Sequence, residues 1–557
     1  MTDVMKRIVM AVAALSLLAA QRIPNTPRTV IVQLLAINDF HGNLEPPNGG
    51  DGRVNAVPAG GAEYLATHLA RARAENPRSI VVSAGDVVGA SPLLSSIFHD
   101  EATIEAMNTM HLSVSSVGNH EFDEGPLELL RMKRGSCHPI DGCSPVGRFR
   151  GARFDYLSAN VVRTDTRTTL FPPVVVRKIG GVKVGFIGET LQGTPQVVSA
   201  SGIKGLTFLD EASTANAYAE QLKRQGVHAI VLLIHQGGRQ APAGDLDPNG
   251  CETFTGGIEP ILQKLSADIP VVISGHSHEV YNCRIDGHLV TNAGSYGRGV
   301  TRITLEIDRA SGRIAHASAI NETVSRDVPR DPAVTKILDR YRALVDARAG
   351  RVAGSITADI VRRANEAGES PLGDVIADAQ LAATRSLPDG GAVVAFTNFG
   401  GLRADLVSNP RGSAKPGDVT FGDLFAVQPF GNVVTLMTIT GETLVRLLEQ
   451  QFDNPRPGAR RMLQVSDGLT YRYRANATSG QHIDPESIRI QGRPIGPTDR
   501  LRVAASDFLI GGGDRFTAFG DAEDMVGVTA DVDAFAAYVR EHSPVAPGPQ
   551  NRIVRIE

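Results

Sequence analysis

The feature that most constrains this chain is a set of short apolar runs, each stopping at a polar cluster. Residues 30–38 (Val-Ile-Val-Gln-Leu-Leu-Ala-Ile-Asn) lead into Asp39-Phe40-His41, and the run at 80–84 leads into Gly85-Asp86. The run at 112–117 leads into Gly118-Asn119-His120-Glu121, that at 228–234 into His235, and that at 270–274 into Gly275-His276-Ser277-His278. Continuous runs this short read as strands buried on both faces. Helical patterns lie between them. Residues 61–76 put Leu65, Ala66, Leu69 and Ala72 on one face, and further helices are expected near 100–110, 211–225 and 257–267. More strands are expected at 155–162, 172–178, 183–188, 289–292 and 300–307. Strand alternating with helix specifies an α/β fold, whose strand ends present ligand-binding residues.

Residues 330–348 read as a long helix, with Pro332 in its first turn and Val334, Ile337, Leu338, Tyr341 and Leu344 on one apolar face. A fresh series follows: a helix at 371–386, a strand at 393–396 ending at Asn398, a strand at 433–439 and a helix at 441–451. Residues 455–500 are expected to be β-rich, and the strand at 501–505 precedes a flexible Gly511-Gly512-Gly513-Asp514 loop. The expected division is a leader at 1–21, a first domain at 30–325, a linker helix at 330–348 and a second domain at 349–557.

A chain of 557 residues needs more than one domain. Lys+Arg 56 against Asp+Glu 60 leaves a net charge of -4, so no basic field is available to hold a polymeric nucleic acid. Lys6 and Arg7 precede an apolar run from Ile8 to Ala20, the pattern of a secretory signal cleaved near 20–22. That run is too short for an ordinary membrane span, and no later uncharged run of 18 apolar residues follows. The expectation is a periplasmic or secreted protein without a stable membrane anchor. Four cysteines form two sequence-local pairs, Cys137 with Cys143 and Cys251 with Cys283, and two disulfides fit an oxidising compartment. Spacing alone leaves three pairings open.

The polar clusters carry metal chemistry. Asp39 and His41, two residues apart, can address one ion from an extended loop because they alternate in phase. Asp86 ends so apolar a strand that its carboxylate needs a partner, and a metal cation is one. Asn119 adds a neutral oxygen, and His235, His276 and His278 add imidazoles. Such a set can hold two divalent ions with one bridging carboxylate, lower the pKa of a water and clamp phosphoryl oxygens. A buried ionic network without metal is the competing reading. His120 and Asp123 stand at i and i+3 in a turn. Phe430, in a Gln-Pro-Phe-Gly turn, and Phe508, before the triple glycine, can sandwich a planar base or can simply pack. Asp514 can accept from sugar hydroxyls.

Together these motifs resemble the secreted 5′-nucleotidase family over residues 31 to about 550. The resemblance implies an α/β and α+β architecture: a calcineurin-like metallophosphatase β-sandwich flanked by helices, a linker helix, and an α/β C-terminal substrate domain that swings against the metals. It implies that Asp39, His41, Asp86 and His278 hold one ion and Asp86, Asn119, His235 and His276 the other, with manganese or zinc as the metal. Asp123 would orient His120, which stabilises the transferring phosphate or assists the leaving oxygen. Phe430 and Phe508 would stack on the base, Asp514 would hold the ribose, Asn398 the nucleoside side, and Arg403 the phosphate or ribose region. Three positions depart from the family pattern: His278 replaces a glutamine of several members, Phe399 a glycine, and Gly368 a phosphate-binding arginine, with Arg362 or Arg363 as possible substitutes. The implied activity is hydrolysis of nucleoside 5′-monophosphates, a small-molecule substrate. Alternatives are 2′,3′-cyclic nucleotide phosphodiesterase with 3′-nucleotidase activity, UDP-sugar hydrolysis, a thiosulfohydrolase, and a periplasmic nucleoside binder without turnover.

Overall fold

The computed structural model describes residues 28–47, 49–199, 202–241, 246–387, 390–408 and 415–556. The expected leader at 1–21 lies outside these residues.

Two six-stranded sheets pack face to face in the first half. One runs in the order Ile314–Thr323, Gly299–Asp308, Thr29–Ile37, Ser79–Ser83, Leu112–Ser116, Asp155–Leu157. The other runs Val280–Ile285, His288–Ala293, Val271–Ser274, Ala229–His235, Val182–Thr190, Val174–Ile179. Four consecutive strands of each sheet are parallel; antiparallel pairs close both edges of the second sheet and one edge of the first, whose other edge is the parallel strand Asp155–Leu157. The continuous apolar runs follow from this layering. Val30, Val32, Leu34 and Ala36 fill the space between the sheets, while Leu35 and Ile37 meet the helix layer outside. Val231 and Leu233 likewise pack inward, and Ile230, Leu232 and Ile234 outward. A strand covered on both faces has no polar side to alternate with.

Several expected elements change. The strand at 155–162 divides into Asp155–Leu157 and Val161–Arg163, and the helix at 257–267 shrinks to the single turn Glu259–Leu262. The ten-residue strand Ile314–Thr323 was not anticipated: it lies at a sheet edge, where Ala, Ser, Asn and Glu replace the apolar run. Both sequence-local cysteine pairs are disulfides.

The long helix spans Pro332–Ala349. Val334, Leu338, Tyr341 and Val345 form its buried stripe against the helices of the first sheet. Leu344, expected on that stripe, is 45% exposed, and Val345, at 2%, takes its place. In helical phase 334, 338, 341 and 345 keep to one side; 337 and 344 share its margin, where Ile337 is covered and Leu344 is not. Arg340 pairs with Glu105 at 2.6 Å and Arg342 with Glu45 at 2.9 Å, so the helix is fastened along its length to the first half.

The second half holds a five-stranded sheet, Leu463–Val465, Val394–Asn398, Arg500–Ser506, Val433–Thr440, Glu523–Ala530, and a four-stranded sheet, Arg493–Pro494, Ile483–Ile490, Leu469–Tyr473, Ile553–Arg555. Helix Pro371–Arg385 starts at Ser370, whose hydroxyl accepts from Gly373 N, and packs against both the sheet and helix Asp531–His542. That last helix and the neighbouring strand Glu523–Ala530 were not anticipated, the strand because most of it is exposed. The glycine loop expected to be flexible is a tight 3-10 turn in which Asp514 takes φ 52°. Among the described residues, no helix is long and apolar enough to cross a membrane.

The revised helix phase is testable. Leu338→Ala should cost about 2–5 kcal/mol, whereas Leu344→Ala should stay within about 0.5 kcal/mol. Urea unfolding of the two variants separates them.

Candidate functional site

Parallel pairing aligns the strand ends. Ile37 sits opposite Ser83, Ser83 opposite Ser115, and Ile234 opposite Ser274. The loops leaving these ends therefore deliver Asp39, Asp86 and Asn119 from one sheet and His235, His276 and His278 from the other to a common edge. The backbone there is not the extended loop expected from sequence. Asp39, His41, Asp86, His276 and His278 all have φ between 47° and 68°. Left-handed conformations of such residues cost about 1–3 kcal/mol each and cluster where function demands them. Asp39 and His41 thus meet through two left-handed residues flanking Phe40, not through pleat alternation. Their amides are pinned to the carbonyls of Gly85, at 3.1 Å, and Asp86, at 2.9 Å.

Ligand atoms of Asp39, His41, Asp86 and His278 lie within 4.8 Å of one another, and those of Asp86, His235 and His276 form a second such group. Asn119 joins the second group: its Oδ1 is 3.2 Å from His235 Nε2 and 2.9 Å from His276 Nδ1. Asp86 belongs to both.

These residues fit divalent cations on their own hydrogen bonding. His41 Nδ1 donates to the Gly89 carbonyl at 2.8 Å, which leaves its Nε2 facing His278 Nε2 at 3.0 Å. His235 Nδ1 donates to the Ala84 carbonyl at 2.8 Å, which leaves its Nε2 facing Asp86 Oδ2 at 3.0 Å. Burial holds His41 and His278 well below the usual imidazole range and takes His276 down to about 3, so protons are poor partners for them. Burial also raises Asp39 to about 7. For Asp86, burial opposes ionisation, but the facing His235 and His120 more than offset it and hold the carboxyl well below its ordinary value. Converging lone pairs and a buried carboxylate are what a metal ion satisfies. The donor set is nitrogen and oxygen without thiolate, which a divalent cation accepts.

Beside this edge, His120 Nδ1 bonds Asp123 Oδ2 at 2.9 Å, and Asp123 is itself fixed by the amide of Ala90 at 3.1 Å. The His120 amide donates to Asp86 Oδ1 at 2.9 Å. Burial works against a charge on His120, but Asp123 and Asp86 outweigh it and raise the imidazole above its ordinary value.

A cavity of about 900 Å³ opens here between the two halves. Asn119, His120 and His276 line one side; Asn398, Arg403, Phe430, Phe508 and Asp514 line the other. All five residues expected to hold substrate are thus brought together. Phe430 stacks on His120, ring centroids 5.7 Å apart and planes 22° apart, and the Arg403 guanidinium lies 5.7 Å from the Phe430 ring centre. Asn398 Nδ2 donates to Asp514 Oδ2 at 2.9 Å. Phe508 lies so close over Gly513 that a Cβ there would stand 2.5 Å from its ring, which requires glycine.

The calcineurin-like phosphoesterase family matches residues 32–280, and the 5′-nucleotidase C-terminal domain matches residues 349–521. The chain is 32% identical over 551 residues to the cell wall protein Lmo0130 of Listeria monocytogenes, covering 92% of this chain and 67% of that one. The chain belongs to the 5′-nucleotidase family of calcineurin-like phosphoesterases. Its relatives differ in extent: it is 31% identical over 538 residues to Endonuclease YhcR of Bacillus subtilis, covering 94% of this chain but only 41% of that protein. Among solved structures, the 5′-nucleotidase precursor of Thermus thermophilus superposes with a TM-score of 0.78 at 26% identity, over 95% of this chain and 100% of that one. Membership implies divalent metal ions.

Within this family frame, the positions that depart from its pattern take definite places. Gly368 lines the cavity with φ 85°, and a Cβ would stand 2.5 Å from Met462 Cγ, so an arginine does not fit without moving Met462. Arg362 does not replace it: its guanidinium is spent on Asp51 at 2.6 Å, an ion pair joining the two halves. Arg363 is exposed and does not line the cavity. Arg460 and Arg461 do, and Arg461 pairs with Asp514. Sequence reasoning passed over both; the adjacent arginines in a turn-rich stretch were their only signal. Phe399, 41% exposed, adds its ring to the cavity wall.

Glu121 was also missed as a functional residue. Its buried carboxylate accepts from the amides of Asp86 at 2.9 Å, Val87 at 2.8 Å and Gly118 at 2.5 Å, and so fixes the loop that carries Asp86, the residue common to both groups. Glu121→Ala leaves three buried donors unmatched and should cost about 3 kcal/mol or more. Reduced metal content, measured beside urea unfolding, should accompany the loss.

Proposed function

We propose that this chain hydrolyses nucleoside 5′-monophosphates to nucleoside and phosphate, with residues 30–325 as the catalytic unit, 330–348 as the linker and 349–557 as the substrate unit. The observation that carries the reading is the single cavity with aromatic rings and Asp514 on one wall and His120 with the metal-ligand edge on the other. Asp39, His41, Asp86 and His278 would hold one divalent ion, and Asp86, Asn119, His235 and His276 a second. When bound, the two ions supply positive charge to the phosphoryl oxygens and lower the pKa of a water.

The chain's own groups do the rest. Asp123 fixes the His120 ring through Nδ1, leaving Nε2 to stabilise the phosphoryl group or hand a proton to the departing ribose oxygen. Asp514, oriented by Asn398 and Arg461, accepts from ribose hydroxyls. Arg403 sits where the phosphate or ribose would pass. Phe430 and Phe508 hold the base by stacking. His120 already covers one face of Phe430, so a base would stack on the ring's other face, toward the cavity. Secretion is part of the proposal, supported by the two disulfides.

A second reading keeps this chemistry and changes the substrate to a 2′,3′-cyclic nucleotide or a nucleotide sugar. Gly368 favours it, because the arginine expected to grip a terminal phosphate is missing. Phosphate release from AMP, UMP, 3′-AMP, 2′,3′-cyclic AMP and UDP-glucose decides, with a phosphomonoesterase added for the last two. Preference for AMP or UMP supports the first reading, and preference for the cyclic or diphosphate substrates supports the second.

His120→Ala should lower kcat by about 10²–10⁴-fold while metal content holds; full turnover with metal bound would remove His120 from the mechanism. Phe508→Ala should weaken substrate binding by about 1–3 kcal/mol, read as a rise in KM for nucleotides but not for p-nitrophenyl phosphate.

A further inference from the structure

The rings of His41 and His120 meet edge to face, centroids 5.0 Å apart, and one peptide unit serves both of them. The unit joins Gly89 to Ala90. Its carbonyl, on Gly89, accepts from His41 Nδ1 at 2.8 Å, and its N–H, on Ala90, donates to Asp123 Oδ2 at 3.1 Å. The same Asp123 oxygen faces His120 Nδ1 at 2.9 Å. A peptide unit is planar and trans, so its oxygen and its N–H point in opposite directions and cannot turn independently. A rotation that carries the carbonyl away from His41 also carries the amide away from Asp123. The unit lies directly on His120 as well: a Cβ at Gly89, whose φ is 83°, would stand 2.3 Å from the His120 carbonyl oxygen.

Asp100 holds this unit from its Gly89 end. Its Oδ2 accepts from the Gly89 amide at 3.0 Å, and its Oδ1 accepts at 2.6 Å from the Ser95 hydroxyl, which itself lies 2.6 Å from the Thr103 hydroxyl. All three side chains are buried. Asp100 directly precedes helix Glu101–Thr109, where an aspartate ordinarily bonds a free amide of the first turn. It makes no such bond. His99 and Asp100 both take left-handed backbone, φ 49° and 59°, and the carboxylate turns to Gly89 instead. The helix forgoes a cap, and the loop beside His41 and His120 gains a brace. Glu121 already holds the start of that loop through the amides of Asp86 and Val87, and Asp100 holds its continuation.

We infer that Asp100 is a positioning residue for the phosphoesterase site: by holding the Gly89 amide it sets the one peptide that orients both His41 and the Asp123–His120 pair. With Nδ1 fixed by Gly89, His41 presents Nε2 toward Asp86 Oδ2 at 3.4 Å, the side on which the metal reading places an ion. The inference rests on that reading. Groups that fix the far nitrogen of a ligating histidine govern how tightly the metal is held, and Asp100 acts one peptide further out.

Metal affinity and amide exchange on the full chain test the inference. Asp100→Gly removes the carboxylate and suits the left-handed backbone. Asp100→Asn keeps an oxygen for the Gly89 amide and accepts the same backbone. Asp100→Ser, one bond shorter, takes the place of the glycine variant should that fail to fold by circular dichroism. Leu447→Ala, in the core of the second half, is a destabilised control. Each protein is loaded with zinc, titrated with a competing chelator, and its bound zinc counted by mass spectrometry. Asp100→Gly should hold one equivalent about 10–100-fold more weakly than wild type, while Asp100→Asn and Leu447→Ala match wild type. In metal-free protein, hydrogen exchange at the Ala90 amide, whose own partner Asp123 is untouched, should be faster in Asp100→Gly and unchanged in Asp100→Asn. Wild-type zinc affinity in the folded Asp100→Gly protein would overturn the inference, and so would an equal loss in Leu447→Ala. If wild type itself holds no zinc, the metal reading fails, and Ala90 exchange still decides whether Asp100 sets the peptide.

Discussion

The structure depends on an electrostatic problem placed at one edge of a β-sandwich. Asp39, Asp86 and the imidazoles of His41, His235, His276 and His278 converge where little water can reach the deepest of them. Protein groups alone leave lone pairs opposed, as at His41 and His278. Everything nearby works to keep that arrangement from relaxing: left-handed backbone at five of the converging residues, amides of their loops tied to neighbouring carbonyls, and Glu121 gathering three more. The sandwich supplies the rigidity, because its strands are close-packed on both faces.

The same layering explains how much could be read from sequence. Strands such as 30–37 and 229–235 announce themselves because both faces demand apolar side chains. Edge elements do not. Ile314–Thr323 and Glu523–Ala530 carry polar and exposed residues, and their strand character comes from pairing partners distant in sequence. The helix at Pro332–Ala349 was visible, but adjacent Leu344 and Val345 differ in burial, a distinction set by what packs against each and not by residue type.

The convergence of the candidate metal residues was legible because each of them follows a buried strand, and the parallel strands end at one edge. Its local geometry was not, since left-handed backbone at Asp39 and His41 leaves no mark in residue type. Glu121 was hidden for another reason: it acts on backbone amides, and an amide has no sequence signature. The cavity wall was legible in its rings and in Asp514, while Arg461 surfaced only once the chain had folded it against Asp514. Gly368 was noticed as a gap, and the structure adds that Met462 occupies the space beside it.

The groups proposed for chemistry and those proposed for recognition are carried by different sheets and share no strand. Met462, Phe399 and the two arginines beside Met462 can therefore change without disturbing any ligand of the metal edge. A lineage built on this plan can explore new phosphoesters by altering one half while the other keeps its chemistry intact. Inheritance of the reaction and inheritance of the substrate are, in such a molecule, separable traits.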